Sequence, residues 1–442
     1  MWYLEKIKTS TMIKSVHILL LILFCVVACQ SPDSNKQVDS TSAIINESAK
    51  TRLDSTLQTL VDSGKVVGIS ALIFEKGKEV YFNAVGFADR EANTPMDRST
   101  IVRIYSMTKP ITGSALMKLN EQGAFQLDDP ISKYAPEFAD MKVFKGVDAS
   151  GKILTEPAKR PITIRDITRH TAGFANQDHP ELGPMVASAD VMNFQNTLAQ
   201  MAQKLATLPL AFHPGDQWAY GISVDVQAYL VEKISGQPFD KYVRENILDR
   251  LGMSTTRYVV PETDMGRFAA VYRRSDDPAP LSRVPDENAN AFNTKDWPLK
   301  PGGFGFTSTI DDYMRFARML VNKGTLDNET ILKEETVKLM ATNHLSDSVK
   351  ERMWLPGKGQ VGFGIDFAVR VRPPATKEEN NGVVGEFFWD GAASTLFWVD
   401  PKNELTAVLF VQIMPFDGSL HKKFRDAVYG AYKPEVMAEA AK

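Results

Sequence analysis

The spacing of apolar and polar positions changes along the chain and predicts where helices and strands lie. Between residues 47 and 64 the apolar positions recur with helical spacing, and a glycine ends the run. This pattern predicts an amphipathic helix. Two β-rich runs, 69–74 and 79–85, then flank the sequence EKGK. They predict a β-hairpin.

The rest of the chain has helical patterns in its middle and strand patterns at its end. Residues 106–250 are mostly helical in pattern and are interrupted by proline and glycine, whereas strand-like runs return from residue 361. A last helix is predicted over 421–432. Because strand patterns stand at both ends of the chain, we expect one sheet assembled from both ends, with a helical domain inserted between them.

The first 29 residues have the pattern of a bacterial lipoprotein signal peptide. Lysines precede an apolar run, 16–28, which is too short for a comfortable membrane span and ends in the sequence VVAC. This ending resembles the lipobox, in which cleavage precedes a cysteine, here Cys29, that is then lipidated. Met12 is an alternative start to Met1, and an uncleaved N-terminal anchor is the alternative reading of the segment.

The predicted lipid anchor places the protein in the bacterial periplasm. The residue after Cys29 is Gln30 rather than the aspartate linked to inner-membrane retention, which favours the outer membrane. Residues 30–46 are polar and predict a flexible tether. Both cysteines of the chain precede residue 30, so the mature protein can form no internal disulfide.

Composition excludes several classes of function. The chain has 442 residues, enough for two or three structural units, and 43% hydrophobic and 24% charged residues are ordinary for a soluble globular protein. A formal net charge of -3 gives no electrostatic reason to expect nucleic acid as a partner. Clusters with metal-ligand spacing and the G-x-S-x-G elbow of α/β-hydrolases are both missing from the sequence.

The sequence IVRIYSMTKP holds the pattern S-x-x-K, which occurs again at Ser419 and Lys422. On a helix, positions i and i+3 share a face, so Lys109 can reach the Ser106 hydroxyl and act as the base that a serine nucleophile needs. Pro110 is tolerated only in a first turn, so the helix must begin near Ser106, where the positive helix end stabilises an oxyanion. The alternative is a capping serine beside a solvated lysine.

Ordered segments accompany this motif along the chain. Together with the motif, these segments make the chain from about residue 50 to 430 resemble the serine β-lactamase and penicillin-recognising superfamily. The resemblance is closest to the class C-like branch, which includes the bacterial family VIII carboxylesterases. The segments that carry the resemblance include LDDPISKYAPEF, ITIRDITRHTAGF, FHPGDQWAYGIS, GGFGFTSTIDDYMRFARML and FFWDGAASTLFWVDP.

The resemblance implies an α/β (α+β), β-lactamase-like, two-lobed fold, with an antiparallel sheet flanked by helices and an inserted, mainly helical domain. The hydrolase domain would span residues 47–435. Its sheet lobe would comprise about 47–105 and 300–435, and its helical lobe about 106–299.

The resemblance also implies a catalytic set. Ser106 matches the acylated serine, Lys109 its lysine partner, and Tyr220 the tyrosine that carries protons to and from the leaving group. The backbone N–H groups of Ser106 and Ala392 would form the oxyanion hole. No cofactor and no metal ion are implied.

Two positions depart from the β-lactamase pattern. The third motif, usually K-T-G, is here Trp389, Asp390 and Gly391, and Ile222 stands at the asparagine position of the second motif. We assign these four residues to substrate binding. A tryptophan offers an apolar wall where a lysine would meet a substrate carboxylate, and W-G-G-like third motifs are associated with the family VIII esterases. The glycine inside a strand pattern suggests close backbone approach.

The predicted function is therefore a serine hydrolase that cleaves a small-molecule ester through an acyl-enzyme. Alternatives are a β-lactamase or D-Ala-D-Ala carboxypeptidase, which cleaves an acyl-amide, and, in a different class, a non-catalytic cell-wall peptide-binding protein. The sequence predicts no oligomeric state. We expect structural roles for His170 and His213, and a position at the rim of the cleft for His344. For Trp218, Phe304 and Phe306 we expect core packing rather than pocket lining.

Overall fold

The structure, a computed structural model, describes residues 43–275 and 280–433. The predicted signal peptide, Cys29 and residues 30–42 of the predicted tether lie outside these ranges. The last tether residues pack on the fold, since the backbone N–H groups of Ile44 and Ile45 donate to the Glu75 carboxylate at 2.7 and 3.2 Å. The folded domain therefore begins before residue 47.

The strands of the large sheet lie near both ends of the chain, and most of the helices and several short strands lie between them. The strands are β1 (Gly68–Glu75), β2 (Lys78–Asp89), β3 (Thr94–Pro95), β4 (Val102–Arg103), β5 (Lys142–Val147), β6 (Ile153–Pro157), β7 (Tyr272–Arg273), β8 (Ser282–Arg283), β9 (Thr307–Ser308), β10 (Thr325–Leu326), β11 (Glu329–Thr330), β12 (Val361–Phe363), β13 (Ala368–Arg370), β14 (Phe387–Asp390), β15 (Leu396–Asp400), β16 (Leu405–Phe410) and β17 (Ile413–Met414).

The α-helices bury their apolar faces against this framework. They are α1 (Glu47–Asp62), α2 (Thr108–Glu121), α3 (Ile164–Thr168), α4 (Gly183–Ala189), α5 (Leu198–Ala206), α6 (Ser223–Ser235), α7 (Phe239–Val243), α8 (Asp286–Ala289), α9 (Ile310–Val321), α10 (Glu334–Met340) and α11 (Gly418–Tyr429). Within the described ranges, no helix has both the length and the apolar character needed to cross a membrane.

One eight-stranded sheet joins the two ends of the chain. Its order is β12-β13-β14-β15-β16-β1-β2-β3, and every neighbouring pair is antiparallel. The N-terminal strand β1 pairs directly with the C-terminal strand β16. This arrangement confirms the predicted fold class, because strands from both ends of the chain build one sheet around an inserted helical segment. The lobe boundaries near residues 106 and 299 stay a prediction.

The two elements predicted first are confirmed. The helix expected over 47–64 is α1, which buries Leu53, Leu57 and Leu60. The hairpin expected next is β1 and β2, and its turn places Lys76 and Gly77 at φ of 51° and 75°. Positive φ at both central residues matches the twist of the flanking strands. The final helix is also found, although it begins and ends three residues earlier than predicted.

A hairpin in the middle of the chain was not predicted. Strands β5 and β6 pair within the region expected to be mostly helical. Asp148 builds the loop between them, because its carboxylate accepts the N–H groups of Ser150 and Lys152 at 2.8 and 3.0 Å. Val143 is the one buried residue of β5, and the strand is short and is interrupted by Gly146. A local pattern of this length does not distinguish a strand from a helix.

A buried ion network fixes the strand that carries the third motif. Glu386, immediately before β14, accepts hydrogen bonds from Arg370 at 2.9 Å and from Arg425 at 2.8 Å. All three side chains are at most 1% exposed. Removing one member of such a network leaves a buried charge without a partner, which is strongly destabilising. The network therefore holds β13, β14 and α11 in fixed positions.

Candidate active site

Ser106 and Lys109 meet where a short 3-10 turn becomes helix α2. The turn spans Tyr105–Met107, and α2 starts at Thr108, so Pro110 stands in its first turn as predicted. The Nζ atom of Lys109 lies 3.2 Å from Oγ of Ser106. Lys109 is 5% exposed. The pair thus has the geometry that a serine nucleophile and its base require.

The residue before Ser106 has a strained backbone. Tyr105 has φ of 45°, in the left-handed region that an aromatic residue rarely adopts. Such a conformation costs about 1–3 kcal/mol and persists only where the surrounding structure enforces it. Here it turns the chain so that Ser106 lines a cavity while Met107 is buried.

Two further residues, which sequence reasoning missed, hold Lys109 in place. Its amino group donates to the carbonyl oxygen of Gly303 at 2.6 Å, and the Gly303 N–H donates to the Asp225 carboxylate at 3.0 Å. A Cβ atom at residue 303 would lie 3.0 Å from Oδ2 of Asp225 and 3.2 Å from Nζ of Lys109, so only glycine fits well. Burial raises the pKa of Asp225, against the opposing effect of Lys109. The Gly-Gly pair at 302–303 is the sequence feature that could have indicated this close backbone approach.

Tyr220 lies against Lys109 and receives a hydrogen bond from the third motif. The Lys109 amino nitrogen is 4.6 Å from the centre of the Tyr220 ring. The indole N–H of Trp389 donates to the Tyr220 hydroxyl oxygen at 3.3 Å. Trp389 therefore supplies a polar contact to the tyrosine, in addition to the apolar wall that the sequence predicts.

An aromatic shell surrounds Tyr220. Its ring centre is 4.7 Å from that of His170 and 5.0 Å from that of Trp354. Burial lowers the pKa of His170 well below its usual range, with a further contribution from Lys109. Neither His170 nitrogen has a hydrogen-bond partner in the part of the chain that the structure describes. His170 is therefore neutral and packs behind the tyrosine, in line with its expected structural role.

Gly391 lets the end of β14 approach the segment before Ser106. A Cβ atom at this position would lie 2.5 Å from the carbonyl oxygen of Ile104. Close approach, suggested by the sequence pattern, is therefore the reason for this glycine. Ala392 follows directly and lines the same cavity as Ser106. Across residues 43–275 and 280–433, no acceptor takes the N–H of Ala392, which leaves it for a substrate oxygen.

A cavity of about 830 Å³ brings most of the predicted site residues together. This volume is within the usual range for a small-molecule site. Among the described residues, no group of three or more His, Cys, Asp or Glu is arranged to hold a metal ion. The predicted residues that line the cavity are Ser106, Tyr220, Trp389, Asp390, Gly391 and Ala392.

Other predicted residues lie elsewhere. Ile222 precedes α6 and packs on the core, so it does not line the cavity. His344, expected at the cleft rim, instead contacts Arg165 at 3.2 Å and the Leu339 carbonyl at 2.9 Å. His213 contacts Glu156 at 3.1 Å.

Of the remaining aromatic candidates, Trp218 and Phe306 are buried as expected for core residues, whereas Phe304 is half-buried. Trp218 is buried beside Tyr220, with the ring centres 6.1 Å apart. Phe304 packs on Phe292, and Phe306 packs on Tyr258.

The second S-x-x-K copy lies at the start of α11. Ser419 and Lys422 also line the cavity. The Lys422 amino group donates to Asp426, one turn along the helix, at 2.7 Å. This lysine is thus directed to a carboxylate rather than to its serine, which distinguishes the second copy from Ser106 and Lys109.

Comparison with known proteins identifies the family. A family model described as Beta-lactamase matches residues 53–430. The chain belongs to the Beta-lactamase family. Protein Rv1367c of Mycobacterium tuberculosis is 33% identical to it over 372 residues, which cover 82% of this chain and 89% of that protein.

Two further relatives have enzymatic names. Lovastatin esterase of Penicillium rubens is 27% identical over 408 residues, covering 86% of this chain and 98% of that protein. The solved structure of EstCE1, described as a hydrolase with promiscuous acyltransferase activity, has a TM-score of 0.71 and 26% identity, covering 88% of this chain and 100% of that one. The resemblance to the β-lactamase superfamily found in the sequence is confirmed.

Gly391→Ala should impair catalysis. The added methyl group would displace Ala392 from the segment before Ser106. We expect at least about a hundredfold loss in kcat, the usual effect of losing one oxyanion donor, and about 1–3 kcal/mol of destabilisation from overpacking. Ester turnover and thermal unfolding would measure the two effects.

Gly357→Ala is the matched control for this variant. Gly357 lines the same cavity, and no atom lies within 4 Å of a Cβ built there. Equal activity of the two alanine variants would contradict the close-approach explanation.

Proposed function

We propose that this protein is a carboxylesterase-like serine hydrolase in which Ser106 forms an acyl-enzyme with an ester substrate. The observation that carries the proposal is the 3.2 Å contact between Lys109 Nζ and Ser106 Oγ at the wall of a cavity large enough for a small molecule. The names of two relatives, lovastatin esterase and the hydrolase EstCE1, support ester chemistry.

Acylation follows from the positions of three side chains. Lys109 takes the proton of the Ser106 hydroxyl while the oxygen attacks the ester carbonyl carbon. The carbonyl oxygen becomes an oxyanion, and the N–H groups of Ser106 and Ala392 stabilise it. The carbon–oxygen bond to the alcohol then breaks, and the leaving oxygen takes a proton from Tyr220, which regains one from Lys109.

Deacylation reverses these roles. Water attacks the acyl carbon and gives its proton to the Tyr220 and Lys109 pair. The bond to Ser106 Oγ then breaks, and that oxygen recovers its proton as the carboxylic acid leaves. The Trp389 N–H lies 3.3 Å from the Tyr220 hydroxyl oxygen. Its hydrogen bond stabilises the negative charge that develops on this oxygen when the tyrosine gives up its proton.

The residues of the third motif support a preference for ester substrates over β-lactams. Trp389 takes the position of the lysine that would contact a substrate carboxylate. The other departure, Ile222, provides no amide and lies outside the cavity lining. The intact set of Ser106, Lys109 and Tyr220 disfavours the alternative of a non-catalytic peptide-binding protein.

Ser106→Ala should abolish hydrolysis of p-nitrophenyl butyrate, because no other nucleophile replaces the serine oxygen. Lys109→Ala and Tyr220→Phe should each lower kcat by about 10²-fold or more, since each removes a proton-transfer group. Steady-state kinetics would measure all three. Ser419→Ala, in the second S-x-x-K copy, is the matched control and should stay within about threefold of the parent. Retained turnover in Ser106→Ala would contradict the mechanism.

Ester turnover should far exceed β-lactam turnover. We expect kcat/KM for p-nitrophenyl butyrate to exceed that for the cephalosporin nitrocefin by at least about a hundredfold, because the pocket lacks the usual carboxylate partner. Parallel steady-state kinetics on the chain lacking residues 1–29 would measure the ratio. The opposite ranking, still dependent on Ser106, would mean that the protein is a β-lactamase.

We also propose that Cys29 carries a lipid that anchors the enzyme in the periplasm. The charged start, short apolar run and VVAC sequence support this proposal. In a bacterial host, the full chain should incorporate labelled palmitate and sediment with membranes, with the outer-membrane fraction favoured, whereas Cys29→Ser should do neither. Equal labelling of the two chains would contradict lipidation at this residue.

A further inference from the structure

A buried ion pair lies in the wall of the catalytic cavity, and the mechanism above does not use it. The Lys358 amino group contacts Oδ2 of Asp390, the middle residue of the third motif. Lys358 and Asp390 are 8% and 7% exposed. They join the turn Leu355–Lys358 to the end of β14.

Lys358 is also enclosed by aromatic rings. Its amino nitrogen lies 4.3 Å from the ring centre of Phe416, 5.3 Å from that of Trp354 and 5.6 Å from that of Trp389. Cation–π contacts of this kind strengthen when the cation is desolvated. The Lys358 amino group therefore holds three rings in fixed relation: one just before the turn, one on β14 and one in the segment before α11.

Lys358 supplies the positive charge that Asp390 requires. His421 also faces Asp390, with Nδ1 3.9 Å from Oδ2. Burial lowers the pKa of His421 to about 4, with Lys358 also lowering it and Asp390 opposing the shift. His421 is thus neutral at neutral pH, and its Nε2 contacts the Ser394 carbonyl oxygen at 3.0 Å.

The rings held by Lys358 face the cavity beside the catalytic tyrosine. Trp354 and Phe416 both line the cavity, and they are 43% and 40% exposed. The Trp354 ring centre is 5.0 Å from that of Tyr220. In the proposed mechanism Tyr220 protonates the leaving oxygen, so that oxygen lies within hydrogen-bond reach of the tyrosine. The alcohol part of the ester therefore meets Trp354.

We propose that Trp354 and Phe416, held by the Lys358–Asp390 pair, form a subsite for a bulky apolar or aromatic alcohol group of the ester. The inference rests on the proposed function, because Tyr220 fixes which half of the substrate lies there. Trp354 and Phe416 contact the substrate, whereas Lys358 and Asp390 are positioning residues. The substrate class is thus an ester whose alcohol part is large and apolar.

Two acetate esters test the subsite without changing the acyl-enzyme. Ethyl acetate and 2-naphthyl acetate both leave an acetyl group on Ser106, so deacylation is common to them and only acylation reports on the alcohol. The intrinsic difference between the leaving groups cancels when each variant is compared with the parent. The measured quantity is the ratio of kcat/KM for 2-naphthyl acetate to kcat/KM for ethyl acetate.

Trp354→Ala and the double variant Lys358→Met with Asp390→Asn should each lower this ratio about tenfold, the usual effect of losing apolar pocket contacts. The double variant removes both charges together, so neither is left buried and unpaired. Combining all three substitutions should lower the ratio little further, because they act through one wall.

The matched control is Lys241→Met with Glu245→Gln, which removes an exposed ion pair on a helix outside the cavity lining. It should leave the ratio unchanged. An unchanged ratio in Trp354→Ala would overturn the subsite. A reduced ratio in Trp354→Ala with an unchanged one in the double variant would overturn the role of the ion pair. Turnover of either ester by Ser106→Ala would instead overturn the proposed function.

Discussion

The geometry of the proposed active site depends on the close approach of β14 to the start of α2. At Gly391 the backbone comes so near the Ile104 carbonyl that no side chain fits between them. This contact places Ala392 and Ser106 on one cavity wall, although they are far apart in sequence. Both partners are rigid, since α2 is buried along most of its length and the Glu386 network fixes β14. Rigid supports of this kind let backbone donors stabilise an oxyanion without reorganisation.

Desolvation then determines how the polar groups pair. Lys109 is buried, yet it contacts Ser106, Gly303 and the face of Tyr220. Asp225 accepts a hydrogen bond from the Gly303 N–H, so the lysine position is set by elements from both halves of the chain. Lys109 is only 5% exposed, and electrostatic contacts are stronger where a charge is shielded from water. The same strengthening applies to the Lys358–Asp390 pair in the cavity wall, because this pair is buried among aromatic rings.

Much of the fold and the centre of the site can be predicted from sequence. The sheet built from both ends follows from strand patterns, and the helix start follows from Pro110. The pattern S-x-x-K occurs twice, and only the surrounding segments favour Ser106 over Ser419. Sequence cannot reveal Asp225 or Lys358, because their roles arise from contacts between distant elements. The contacts of His344 with Arg165 and with the Leu339 carbonyl also join distant or irregular segments. No local sequence pattern indicates them, so the predicted position at the cleft rim could not take them into account.

The most direct test of the account is to trap and locate the acyl-enzyme. The chain lacking residues 1–29 would be mixed with p-nitrophenyl butyrate, quenched in acid within the first turnovers, digested and analysed by mass spectrometry. The account predicts one butyryl group on the peptide that contains Ser106, and none after the same treatment of Ser106→Ala. A butyryl group on Ser419 instead, or rapid turnover with no acylated serine at any quench time, would contradict it.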